Sequence, residues 1–129
     1  MFKFDRRECA NKQHRAALKD DKNRFVIATE QIINLGDLND SIFAIMKNAR
    51  LPEAYQKKIA KNGKHYFNLT STGNHQIIAG PSRLYPSRTD MQVAITDMQS
   101  GCPQADVISN IGTFSLNFEN KYDEEIPEV

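Results

Sequence analysis

The chain has no tryptophan and only two cysteines in 129 residues. Cys9 and Cys102 stand far apart, with none of the paired spacing of a zinc site or a disulfide framework, so they read as free thiols in a reducing compartment. No stretch approaches the roughly 20 consecutive apolar residues that cross a bilayer, which excludes a membrane-spanning helix. The opening MFKFDRRECANK puts Asp5, Arg6, Arg7 and Glu8 where a signal peptide needs its apolar stretch, and a cytoplasmic location is the expectation. Charge of one sign is not in excess either. A net charge of +1 sets up no overall field for gathering polyanions or docking on a membrane. There is no Gly-x-Gly-x-x-Gly or Walker loop, and the six glycines are accounted for by turns. His14, His65 and His75 are the only histidines and show no metal-ligand spacing. Neither a metal nor any other cofactor is expected.

What the chain does have is a soluble balance, 40% hydrophobic and 26% charged, and enough length to bury a core without staples. The clearest signals lie in the second half. Tyr55 to Ala60 predicts a strand, and Asn62-Gly63 predicts a tight hairpin turn because both residues tolerate positive φ. From His65 to Thr70, Phe67 and Leu69 alternate with Tyr66, Asn68 and Thr70, the period of a half-buried strand. Gly73-Asn74 supplies the next turn and Gln76 to Ala79 a short third strand. Pro81 and Pro86 bracket a loop, since proline lacks the N–H a central strand requires. Ser87 then caps a helix, with Asp90 at its positive end and Met91, Ala94, Ile95 and Met98 as its buried stripe. Gly101 and Pro103 stop it.

The first half repeats this wording. KDDKNRFVIATEQII falls on KNGKHYFNLTSTGNHQII, with Lys19 on Lys61, Lys22 on Lys64, Phe25 on Phe67 and Ile27 on Leu69, and Gln31-Ile32-Ile33 then meets Gln76-Ile77-Ile78. Ser41 is expected to cap a first helix whose Ile42, Ile45, Met46 and Ala49 face a core. The first strand of this half is expected near Gln13 to Leu18, where a helix is the alternative.

These stretches, above all YQKKIAKNGKHYFNLTSTGNHQII, resemble the YegP-like family, small bacterial proteins of uncharacterised function. The resemblance spans roughly Gln13 to Cys102. It implies an α+β fold in which tandem β-β-β-α repeats form one largely antiparallel sheet, with helices on one face and C-terminal strands exchanged between repeats. The expected organisation is a divergent first repeat over residues 1–52, a second over 53–103, and C-terminal strands with an acidic tail over 104–129. Val107-Ile108 is the expected exchanged strand. Thr113 to Asn120 alternates Phe114, Leu116 and Phe118 against polar residues and predicts an extra strand.

The residues supply no defensible catalytic constellation, and the family brings no activity with it. Cys102 and His75 are a nucleophile and a base in type only, because nothing places them within hydrogen-bond reach. Cys102 reads more plainly as a small hydrophobe at a helix end. Arg83 and Arg88 lie around the second helix's N-terminus, but Asp90 competes for any anion there. Two binding readings follow. In the first, Phe114, Leu116, Phe118 and the open-face Tyr66 contact a protein partner or a second copy of the chain. In the second, which the near-neutral charge disfavours, Lys57, Lys58, Lys61 and Lys64 around the hairpin tip touch nucleic acid, with Tyr66 as a stacking surface.

Overall fold

The first strand is built where charge outnumbers apolar residues. Phe2 and Phe4 alternate with Lys3 and Asp5, and β1 (Lys3–Glu8) sends Phe4 wholly into the core. The computed structural model describes residues 1–9, 11–109, 126, 127 and 129. Five more strands and two helices alternate behind β1: β2 (His14–Lys19), β3 (Phe25–Ala28), α1 (Leu35–Asn48), β4 (Tyr55–Ile59), β5 (His65–Thr70), β6 (Ile77–Ala79) and α2 (Arg88–Gly101). Strand β7 (Asp106–Ser109) follows.

The strands form two sheets, β3-β2-β1-β7 and β4-β5-β6, where one continuous ladder is implied by the family resemblance. A stretch of irregular chain joins them. Gly80 and Arg83 donate their N–H groups to Ala28 and Val26 of β3, at 3.2 and 2.9 Å. On its other side this stretch binds β5: Ser82 N–H donates to the Phe67 carbonyl, and Tyr85 and His65 exchange both backbone bonds. The ladder breaks here because Pro81 has no N–H to give and Gly80, at φ +136°, turns the chain in a way that β-residues do not.

The two hairpins match bond for bond. Glu8 pairs His14 as Ile59 pairs His65, and Phe4 pairs Leu18 as Tyr55 pairs Leu69. In the first turn Asn11 Oδ1 accepts the Gln13 N–H, and in the second Asn62 Oδ1 accepts the Lys64 N–H. Lys12 (φ 65°) takes the left-handed position that Gly63 (φ 82°) fills in the second. This corrects the expected alignment: Phe67 corresponds to Ala16 of β2, not to Phe25, which lies one strand later on β3. The two Gln-Ile-Ile triplets are likewise not equivalent. Ile32 makes an isolated bridge to His14 just as Tyr85 does to His65, whereas Ile77 belongs to β6.

Both helices begin on a side-chain cap. Asn34 Oδ1 accepts the Asp37 N–H at 2.8 Å, and Ser87 Oγ accepts the Asp90 N–H at 3.1 Å. The expected cap Ser41 therefore lies inside α1, which starts a full two turns earlier. Leu38, Ile42, Ile45 and Ala49 from α1 and Met91, Ile95, Met98 and Cys102 from the α2 end join Phe4, Leu18, Ile27, Phe67 and Leu69 in one cluster. Phe67 is its centre, packed against Tyr55 at 5.5 Å and stacked on Tyr85 at 6.4 Å between ring centroids. Strand β7 lies parallel to β1, with Phe4 opposite Val107.

Candidate functional site

Each fourteen-residue helix ends on a different residue at the same place. Asn48 closes α1 and Gly101 closes α2. Asn48 is buried, and its Oδ1 accepts the Thr72 N–H at 3.1 Å while its Nδ2 donates to the Ala44 carbonyl. That side chain ties α1 to the turn between β5 and β6. Gly101 has no such arm. A Cβ built on it would lie 2.2 Å from the ring of Phe2, which packs there instead. The corresponding turn, between β2 and β3, stands clear of α2 and a cleft of about 700 Å³ opens between them. That volume is within the usual range of ligand sites.

The apolar part of the cleft lining comes from Phe2, Val26, Tyr85, Val93 and Ala94. Its side chains carry four carboxylates, Asp20, Asp21, Asp90 and Asp97, against two guanidiniums, Arg24 and Arg83. Asp20 and Arg24 are already committed. Arg24 Nε meets Asp20 Oδ2 at 2.9 Å, and Asp20 Oδ1 accepts the backbone N–H groups of Lys22 and Arg24. Partial burial works against the Asp20 carboxylate, but the bonds from Arg24 and Lys22 prevail and hold it below the ordinary value. Arg83 lies over the Tyr85 ring, 5.7 Å from its centroid. Burial pushes the Tyr85 phenol up to about 12, partly offset by the positive charge of Arg83, so it stays protonated at neutral pH. Among the described residues, no hydrogen bond or ion pair engages the carboxylates of Asp21, Asp90 and Asp97. Against these three stand the Arg83 guanidinium, which meets no carboxylate among the described residues, and the Met1 amine, so carboxylates outnumber cations among the uncommitted groups by one.

The residues singled out from sequence fall elsewhere. Lys57, Lys58, Lys61 and Lys64 are all exposed on β4 and its hairpin. Lys57 points to the helix side, where its Nζ meets Gln92 Oε1 at 2.8 Å, and Lys58, the next residue, points to the opposite side. The four lysines do not share one face. Tyr66, expected on an open face, is only 8% exposed, and Asn68 and Thr70 beside it on β5 are buried as well. Asn68 donates to Gln56 Oε1 and Thr70 to the Ala54 carbonyl. Phe114, Leu116 and Phe118 lie outside the described residues. Cys102 is completely buried with its thiol pushed up to about 12 by desolvation, and His75 is an exposed turn residue at φ 56°. They make no nucleophile–base pair. The described residues hold no cluster of His, Cys, Asp and Glu suited to a metal ion. Nor is any described helix long and apolar enough to cross a membrane.

Sequence reasoning reached Arg83 and Asp90 but not the cleft they share with Asp21 and Asp97. One signal is available: Gly101 reads as a helix stop, and its contrast with Asn48 marks the missing arm.

Two small sheets joined through an irregular seam and covered by two capped helices define an α+β class of known shape. Residues 60–108 match the family described as a domain of unknown function, DUF1508. The UPF0339 protein YegP of Escherichia coli strain K12 is 30% identical over 97 residues, which cover 75% of this chain and 86% of that protein. A UPF0339 protein of Shewanella oneidensis is 31% identical over 84 residues, covering 65% and 74%. The solution NMR structure of the Escherichia coli protein superposes with a TM-score of 0.77 at 28% identity, over 86% of this chain and 94% of that one. A second NMR structure, of a Shewanella oneidensis UPF0339 protein, shares the fold at a TM-score of 0.78 and 22% identity, covering 93% and 97%. The chain belongs to the YegP-like UPF0339 family.

Proposed function

We propose that this protein is a cytoplasmic, non-catalytic protein-interaction module, and that its site is the α2 cleft, which takes a lysine- or arginine-bearing segment of a partner protein. The two matching hairpins and the two capped helices support reading the chain as a duplicated β-β-β-α unit, residues 1–52 and 53–103, in which one copy has kept its groove open. The contrast between Asn48 and Gly101 carries the reading. A groove closed by a side chain in one half is open in the other, and carboxylates outnumber cations among its uncommitted groups, beside aromatic and aliphatic side chains. An ammonium or guanidinium on an aliphatic stem fits both parts of that surface.

The test is titration of the full chain with a capped tetralysine peptide, followed by NMR shifts. Shifts at Val93, Ala94 and Asp97 are expected, and Asp90→Asn with Asp97→Asn should weaken binding by about tenfold. Gly101→Asn, whose side chain would displace the Phe2 ring from the cleft wall, should abolish it. Shifts confined to other surfaces, or binding indifferent to the two aspartates, would sink the reading. The nucleic-acid reading is the weaker one, because strand alternation splits Lys57 and Lys58 between two faces.

A further inference from the structure

The two sheets also differ at their outer edges. Strand β1 has β7 paired along its outer side, while β4, its counterpart in the second hairpin, pairs with β5 alone among the described residues. The hydrogen-bond phase of β4 can be read from its turn. Ala60 donates to the Lys64 carbonyl, so by antiparallel alternation Lys58/Tyr66 and Gln56/Asn68 are the bonded pairs. Lys57 and Ile59 therefore aim their backbone N–H and C=O groups outward, away from the sheet. Gln56, Lys57, Lys58 and Ile59 are all exposed, Ile59 to 67%. An edge of this kind presents a template for one more strand.

We propose that the outer edge of β4 takes an extended acidic segment of a partner protein as an added strand. The site is separate from the α2 cleft and does not depend on what fills it. The charge pattern selects the occupant. Lys57 and Lys58 project from neighbouring positions to opposite faces, and Lys61 and Lys64 flank the hairpin at the end of the same edge. A phosphate backbone lying along one face would meet only one of the first two lysines. An added strand sends its side chains to both faces in turn, so two adjacent carboxylate residues meet both lysines. Next to Lys57 on the helix side, the exposed Ile59 offers an apolar contact for the following residue. Beside β1 the added strand is β7, whose Asp106 to Ser109 pair with Lys3 to Arg6, the counterparts of Ala54 to Lys57.

The experiment uses the isotopically labelled full chain and the capped peptide Thr-Val-Glu-Glu-Val-Thr, with amide hydrogen exchange as the readout. Exchange at the Lys57 and Ile59 N–H groups is expected to slow by about tenfold or more at saturation. Lys57→Glu with Lys58→Glu should remove binding. Ile59→Pro deletes an outward donor that the native sheet does not use, so it should leave the fold intact and block the peptide. Four outcomes overturn the proposal: the peptide binds without protecting those two amides; its binding survives Ile59→Pro; a short oligothymidylate binds the same lysines more tightly than the peptide; or the two amides become protected by self-association as protein concentration rises.

Discussion

At Cys102 a complete loss of solvent decides the chemistry of the thiol. In the unfolded chain the group ionises near its ordinary value of 9, whereas in the folded protein it holds its proton until about 12. The unfolded state therefore sheds the proton first, and stability that is whole below pH 9 drains away as pH rises toward 12. Tyr85, raised from 10 to about 12 by burial, adds to the same loss, and Tyr55 shifts in the same direction. The urea midpoint should accordingly fall between about pH 8 and pH 10.5, less steeply in Cys102→Ala, and a thiol reagent should modify the half-buried Cys9 long before Cys102. Gly80 is the second telling residue. It sits at φ +136°, and a Cβ there would come within 2.2 Å of Asn68 Oδ1, so Gly80→Ala should cost more than about 2 kcal/mol in chemical denaturation. Nothing in the sequence separates this glycine from the turn glycines. Its neighbour in space is Asn68, and that proximity exists only once β5 and the seam are side by side.

Among the elements, those with strong periodicity and turn chemistry were legible. Strands β4 and β5, the turn at Asn62-Gly63, and α2 with its Ser87 cap and buried Met91, Ile95 and Met98 all form where the pattern placed them. Strand β1 went unread because Asp5, Arg6, Arg7 and Glu8 look like surface, yet Asp5 is buried with Arg7 Nη2 at 3.0 Å from its Oδ2. Its hairpin hides behind Lys12, which adopts a positive φ without being glycine. With β1 hidden, the wording of the two halves falls into register one strand out of step. The first helix was shortened for a related reason: its opening turns, LGDLND, bury only Leu38 and carry Gly36, so no apolar stripe announces them. Asn34 does announce the start, and Asn34→Ala or Ser87→Ala should each lower stability by about 1 kcal/mol, read as a shift in thermal midpoint.

At the scale of the whole molecule, one core serves both halves, and residues 80–85 hydrogen-bond to β3 on one side and β5 on the other. Cutting the chain between residues 52 and 53 should leave two fragments without native-like circular dichroism, since each is too small to bury a core of its own. In the intact chain the amides of Gly80 and Arg83 should exchange only by global unfolding. The family was legible from the second half alone. The cleft was not, because it is assembled from the two residues before β1, the β2–β3 turn with β3, the seam and α2, places that no local pattern connects. The pairing of β1 with β7 joins residues about a hundred positions apart, among the most distant contacts a domain of this size makes. On the ribosome, β1 thus waits for a strand made about a hundred residues later. Until Asp106 to Ser109 leave the exit tunnel, β1 presents an open outer edge beside β2, and that interval is when a chaperone or a neighbouring nascent chain has most opportunity to bind it.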